Sequence, residues 1–270
     1  MLTVSELFLQ ADDYYTFAKS VYAAATAGDR DAQYYLSEAI SYCAAGYRMY
    51  FERGSRTRTL DEALQWASTR PATSIDEARL IHERCHRMKE EGGIEQFGTA
   101  REWLRRSADA GHPLGQVELA FQLFMDAEYA TFGQDDSSQA ANLRQTARAL
   151  VEQAIRSKNP EVIWKIGDMQ RAITGDSSTA EREQWVWRLA ACQRGFDCSA
   201  DAQWVKFMCR FDLNCQPYED GVDLMKRMSG VDFLEIERRA KELYARIDAE
   251  AWEEIGFGSS GKAQDQAEHS

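Results

Sequence analysis

Helix-breaking turns recur along this chain at a nearly constant interval. Ala27-Gly28-Asp29, Arg70-Pro71, Ala110-Gly111-His112, Lys158-Asn159-Pro160 and Arg194-Gly195 set register positions at residues 28, 70, 111, 158 and 195, which are 42, 41, 47 and 37 residues apart. Apolar residues at helical spacing flank these breaks, and a period near forty marks an array of helical hairpins. A single hairpin cannot bury its own apolar face, so each needs a neighbour. The fourth and third residues before the turns are Ala24/Ala25, Trp66/Ala67, Ser107/Ala108, Ala154/Ile155 and Ala191/Cys192. Most are small, as close approach of one helix to the next requires.

The clearest hairpin lies between Ala100 and Phe124. Ala100, Trp103, Leu104, Ser107 and Ala108 share one helical face, Gly111-His112-Pro113 stops that helix, and Leu119, Ala120, Leu123 and Phe124 face inward on the next. Downstream of the two best turns stand Ala32-Gln33-Tyr34-Tyr35-Leu36 and Gly115-Gln116-Val117-Glu118-Leu119. At these residues the chain resembles the Sel1-like repeats of bacterial cell-envelope proteins. These are tetratricopeptide-related hairpins with an alanine-rich helix end, a Gly-His or Gly-Asp turn, and then Ala-Gln-x-x-Leu. The second copy lacks the turn glycine, the fourth carries Lys158-Asn159-Pro160, and the fifth needs about three extra residues before Ala202-Gln203-Trp204-Val205. The resemblance covers roughly residues 14–210. It implies an all-α fold, a right-handed α-solenoid of about five helix-turn-helix repeats with a C-terminal capping helix, occupying residues 1–256.

Taken in order, Tyr14, Phe17, Ala18, Val21, Tyr22 and Ala25 pattern the first helix, and Leu36, Ala39, Ile40 and Cys43 its partner. Gly46 to Thr59 is arginine-rich and loop-like, with Arg48, Arg53, Arg56 and Arg58 as a solvated loop or an anion-binding patch. Ser74-Ile75-Asp76-Glu77 has the form of a capping box. Thr131 to Gln139 is expected to be a polar loop. From Val231 to Ile255, Phe233, Ile236, Ala240, Leu243, Ile247 and Ala251 predict one long amphipathic helix, either a cap on the array or a dimerising coiled coil. Residues 257–270 have the composition of a disordered tail.

The formal net charge is -12, from 44 acidic and 32 basic residues, which argues against affinity for phosphate backbones and suits a basic partner. No segment approaches the ~20 apolar residues of a membrane span. Met1-Leu2-Thr3-Val4-Ser5-Glu6 carries no leader signature, so export implies a leader removed upstream, which a lipid anchor could have accompanied. Cys43 and Cys85 stand fifteen residues after positions 28 and 70, while Cys192/Cys198 and Cys209/Cys215 are each six apart. Equal offsets place Cys43 and Cys85 at one level of neighbouring helices, predicting the pairs Cys43–Cys85, Cys192–Cys198 and Cys209–Cys215. Such pairing favours the periplasm or the exterior; six reduced, buried thiols in a cytoplasmic protein are the alternative.

His82-Glu83-Arg84-Cys85-His86 matches the His-Glu-x-x-His pattern of zinc hydrolases, with Glu95 or Glu102 as candidate third ligand. Arg84, Arg87 and Lys89 oppose a dication there. No phosphate loop, Gly-x-Ser-x-Gly elbow or Cys-x-x-Cys pair occurs, and no cofactor is implied. Adjacent Tyr14-Tyr15 and Tyr34-Tyr35 cannot all point inward on one helix face, so some are expected at the surface as partner-binding anchors. The resemblance implies an adaptor, or an immunity protein that neutralises a basic secreted effector, acting as monomer or dimer without enzymatic activity. The alternatives are a zinc hydrolase and, from cysteine-rich Sel1-like relatives, a β-lactam-binding protein.

Overall fold

A computed structural model describes residues 2–54, 56–69, 73–132, 137–174, 177–202, 204–205, 220–229 and 232–256. The described chain is almost entirely helical and divides into two compact units, Met1–Gly115 and Gln116–Ser270.

In the first unit, α1 (Val4–Leu9), α2 (Tyr14–Thr26) and α3 (Arg30–Tyr50) are followed by a two-stranded hairpin of β1 (Glu52–Arg53) and β2 (Arg56–Thr57). Then come α4 (Leu60–Ala67), α5 (Thr73–Glu90), α6 (Gly93–Phe97) and α7 (Ala100–Asp109). Three helices start at a Thr-x-x-Glu capping box: Thr3/Glu6, Thr59/Glu62 and Thr99/Glu102. In each, the threonine side chain accepts from the glutamate N–H while the carboxylate accepts from the threonine N–H. A cap of this kind is worth about 1 kcal/mol. Ser74 does not play the capping role its sequence suggests, because α5 has already begun at Thr73. The stretch from Gly46 to Thr59 is also more ordered than a loop, since α3 continues to Tyr50 and Glu52 then pairs with Thr57. Arg58 donates to the Tyr50 carbonyl at 3.0 Å and lies over the Trp66 ring, and Arg56 pairs with Glu62.

The turn register has a physical basis. Gly28, Gly111, Lys158 and Gly195 all have positive φ, at 98°, 80°, 54° and 98°; Arg70 lies outside the described residues. At each glycine the N–H bonds back to the carbonyl three residues earlier, and the next N–H bonds to the carbonyl five residues before it: Gly28 to Ala25 and Asp29 to Ala24, Gly111 to Ala108 and His112 to Ser107, Gly195 to Cys192 and Phe196 to Ala191. These are Schellman closures, which satisfy carbonyls left over at a helix end. The small residues noted in the sequence are the acceptors of these bonds.

Within the first unit, α3 is the central element, packing most extensively against α7, then α2 and α5. A linear stack would place the second hairpin between the first and third. Here α7 lies directly on α3, while α5 packs on α3 and α2. Cys43 and Cys85 join α3 to α5, with Cα atoms 5.2 Å apart. Gly46, one turn further along α3, keeps that approach close, because a Cβ there would lie 2.8 Å from the Ile81 side chain.

Helix α8 (Pro113–Phe132) begins at the end of the first unit. The second unit contains α9 (Ser137–Ile155), α10 (Pro160–Asp168), α11 (Gln170–Thr174), α12 (Ser177–Gln193), α13 (Gly221–Ser229), α14 (Phe233–Asp248) and a 3₁₀ turn at Trp252–Ile255. Helices α8 and α9 take up most of the predicted Thr131–Gln139 loop. The centre of this unit is α12, against which α10, α11, α13 and α14 pack. Ile236, Ala240, Leu243 and Ile247 of α14 are buried, so its apolar stripe is spent within the chain. The predicted helix to Ile255 stops at Asp248, because Glu250 adopts φ 57° and Ala251 N–H closes onto the Arg246 carbonyl. Lys158 reaches this end from the α9–α10 turn, donating to the Asp248 carbonyl at 3.2 Å and pairing with Glu250 at 3.0 Å. A cation there suits the negative end of a helix dipole. Cys192 and Cys198 are bonded across the turn after α12. Cys209, Cys215 and residues 257–270 lie outside the described residues.

Candidate functional site

In the first unit, side-chain to backbone hydrogen bonds link the first turn to the third. Arg30, at the start of α3, donates to the Gly111 carbonyl at 3.1 Å, and Ser107 Oγ of α7 donates back to the Arg30 carbonyl at 2.9 Å. Further along, Ser37 Oγ donates to the Ala100 carbonyl at 2.8 Å. Gly115 fits tightly beside this junction, since a Cβ there would lie 2.8 Å from Ser107 Oγ. Gln33, the glutamine of the Ala-Gln-x-x-Leu sequence, is buried and donates to the Ala25 carbonyl at 3.0 Å.

His112 completes the junction. Its ring stacks on Tyr34 with centroids 4.5 Å apart and planes 17° from parallel. Its Nδ1 accepts from the Gly115 N–H at 3.1 Å, so the imidazole caps α8, and Nε2 faces Asp31 at 3.5 Å. Accepting at Nδ1 requires the neutral ring with its proton on Nε2. Burial lowers the His112 pKa from 6.5, with Arg30 adding to the effect and Asp31 and Asp29 opposing it. The unfolded chain therefore takes up this proton before the folded one. Stability from this group is complete above pH 6.5 and is lost as pH falls toward the depressed folded value. His112→Asn, which keeps a capping oxygen but cannot titrate, is expected to flatten the unfolding midpoint between pH 7 and 5 relative to wild type. Urea melts at each pH measure the difference, and parallel curves for the two proteins would contradict the assignment.

The tyrosines expected as exposed anchors are mostly interior. Tyr14, Tyr15 and Tyr34 are 3, 5 and 2% exposed, and Tyr35 is half-buried. Tyr14 stacks on Phe8 at 5.1 Å and its hydroxyl accepts from Arg84 at 3.3 Å. Tyr15 donates to Gln96 at 2.9 Å beneath the Arg87 guanidinium. Tyr35 contacts Phe8 and Tyr34. Both rings of each pair find cover because α2 and α3 are packed on more than one side, so adjacent residues meet different neighbours.

The His-Glu-x-x-His stretch lies on α5 around the Cys43–Cys85 bridge. His82 and His86 rings are 5.2 Å apart, but His86 Nδ1 is 3.0 Å from the His82 carbonyl, the contact of a ring donating one turn back. His82 packs against Phe51, its Nδ1 is buried without a partner, and burial, reinforced by His86, lowers its pKa. The neighbouring cations are engaged: Arg84 over Tyr14, Arg87 with Asp13 and Glu91, Lys89 with Glu52. Glu102, one candidate third ligand, is held in the Thr99 capping box, and the Glu95 side chain lies outside the described residues. Among the described residues, no group of three His, Cys, Asp or Glu could hold a metal ion.

No family model, curated protein or solved structure matches the chain. Among the described residues no helix is long and apolar enough to cross a membrane. In the second unit, Lys165 of α10 pairs with Glu118 of α8 at 2.9 Å. Glu161, one turn before Lys165, has its pKa raised by burial, with Lys165 opposing and Glu118 reinforcing the shift.

Proposed function

We propose that this chain is a non-enzymatic protein-interaction module built of Sel1-like helical hairpins, working in an oxidising compartment of the bacterial envelope. The repeated turn carries the reading: Gly28, Gly111 and Gly195 share one Schellman closure, and Lys158 shares its positive φ. Repetition of one hairpin geometry builds extended surfaces rather than a single deep pocket, and extended surfaces suit protein partners. The Cys43–Cys85 and Cys192–Cys198 bridges favour export. The charge of -12 favours a basic partner, such as a secreted effector held by an immunity protein. Pull-down from envelope extracts grown under several conditions is expected to recover a specific protein partner, and recovery of none in any condition overturns the proposal. Metal analysis separates it from the hydrolase alternative. Stoichiometric zinc lost on His82→Ala would transfer the argument to an enzyme; the expected result is no bound zinc.

A further inference from the structure

The two bridges differ in where they lie. Cys43 and Cys85 are buried, at 4 and 0% exposure, between two long helices, whereas Cys192 and Cys198 are both partly exposed at the end of α12. Thiol–disulfide exchange needs a thiolate to reach one sulfur of the bond, so access decides which bridge a reductant meets first. The packing of α3 on α5 shields the first bridge. The second stands on a turn at the surface.

That turn also gathers the elements of the second unit. Arg194 pairs with Asp248 at 2.5 Å and lies over the Tyr244 ring, which ties the turn to the end of α14. Phe196 stacks on Trp164 of α10 with ring centroids 4.5 Å apart. The Asp197 carbonyl accepts from the Trp204 indole at 2.9 Å, and the Cys198 carbonyl accepts from the Gly221 N–H at 2.8 Å, where α13 begins. The Schellman closure fixes the chain as far as Phe196, after which Asp197 and Cys198 belong to neither helix nor strand. The bond from Cys198 back to Cys192 then holds these residues against α12.

We propose that Cys192–Cys198 is a reversible redox clasp, opened by a dithiol while Cys43–Cys85 stays closed, and that opening loosens the turn from α10, α13 and α14. One thiolate of the dithiol attacks one sulfur of the bridge, the S–S bond breaks, and the other cysteine leaves as a thiolate. The second thiol of the reductant then resolves the mixed disulfide. Two electrons and two protons pass to the cysteines, and the dithiol ends as a disulfide. The device goes beyond the interaction-module reading and does not depend on which partner is bound.

The full chain is incubated under native conditions with graded dithiothreitol, free thiols are trapped with iodoacetamide, and the labelled peptides are mapped by mass spectrometry. Cys192 and Cys198 are expected to be labelled at dithiothreitol concentrations tenfold or more below those that label Cys43 and Cys85. Labelling of all four at one concentration, or of Cys43 and Cys85 first, overturns the proposal. At the concentration that opens only the second bridge, hydrogen exchange is expected to quicken about tenfold over residues 194–202 and 244–251, with α3 and α5 unchanged. Unchanged exchange over both segments overturns it too. Oxidised glutathione, added after the dithiothreitol is removed, is expected to restore the original exchange, and failure to do so rules out a reversible device. The double variant Cys192→Ser/Cys198→Ser is expected to show the loosened pattern without reductant and no further response to it; a response that persists there assigns the effect to another bond and overturns the proposal. Should that variant fail to fold, the wild-type labelling and exchange decide alone, since they need no substitution.

Discussion

Replacing Cys43 and Cys85 together with alanine is expected to lower the stability of the first unit by about 4 kcal/mol, chiefly by releasing the unfolded chain from a loop closed over 42 residues. The same change at Cys192 and Cys198, which are 6 residues apart, is expected to cost about 2 kcal/mol, because the smaller loop removes less unfolded-state entropy. The native geometry supports the larger figure, since α3 and α5 already pack and Cα atoms 5.2 Å apart suit a bridge. Native-state hydrogen exchange read peptide by peptide keeps the units separate, with protection lost in α3 and α5 for the first pair and around α12 for the second. A smaller loss for Cys43/Cys85 than for Cys192/Cys198 would mean that the reduced first unit keeps its α3–α5 contact in the unfolded ensemble, and the entropic argument would fail.

Much of this arrangement could be read from residue order, because the turns obey local chemistry. A helix that ends in a left-handed residue favours glycine and leaves two carbonyls needing close donors, so Gly28, Gly111 and Gly195 and the small residues before them recur together. Equal offsets from positions 28 and 70 of the sequence put Cys43 and Cys85 in register, and the bridge joins them. The Thr-x-x-Glu boxes at Thr3, Thr59 and Thr99 are equally local, each spanning four residues of sequence. Tertiary adjacency was not legible. Periodicity tells which face of a helix is apolar, not how many neighbours surround it, so Tyr14-Tyr15 and Tyr34-Tyr35 looked half-exposed until α2 and α3 proved to be packed on several sides. The contact of the first turn with the third depends on Arg30, Ser107 and His112, polar residues that no hydrophobic pattern singles out. Glu250 gave no warning either, since nothing in its residue type asks for positive φ.

Trp103 offers the second large effect, because two separable interactions meet in one side chain. Its ring is buried at 4% exposure among the first unit's core residues, edge-on to Tyr22 at 5.9 Å and beneath the Arg106 guanidinium at 4.7 Å. Its indole N–H donates to the Phe97 carbonyl, which fixes the end of α6 against α7. Trp103→Ala removes the ring from a site walled by helices, so collapse can fill little of the space, and a loss of about 3–5 kcal/mol is expected. Trp103→Phe keeps most of the volume but leaves the Phe97 carbonyl without this donor, at a cost of about 1–3 kcal/mol. Urea unfolding of the three proteins, followed by circular dichroism, measures both steps. Hydrogen exchange at α6 should rise in Trp103→Phe almost as far as in Trp103→Ala, because both lose the bond. Full protection of α6 in the phenylalanine variant would show that packing alone holds it, and that the register of α6 on α7 is set by Phe97 and Tyr22 rather than by the indole.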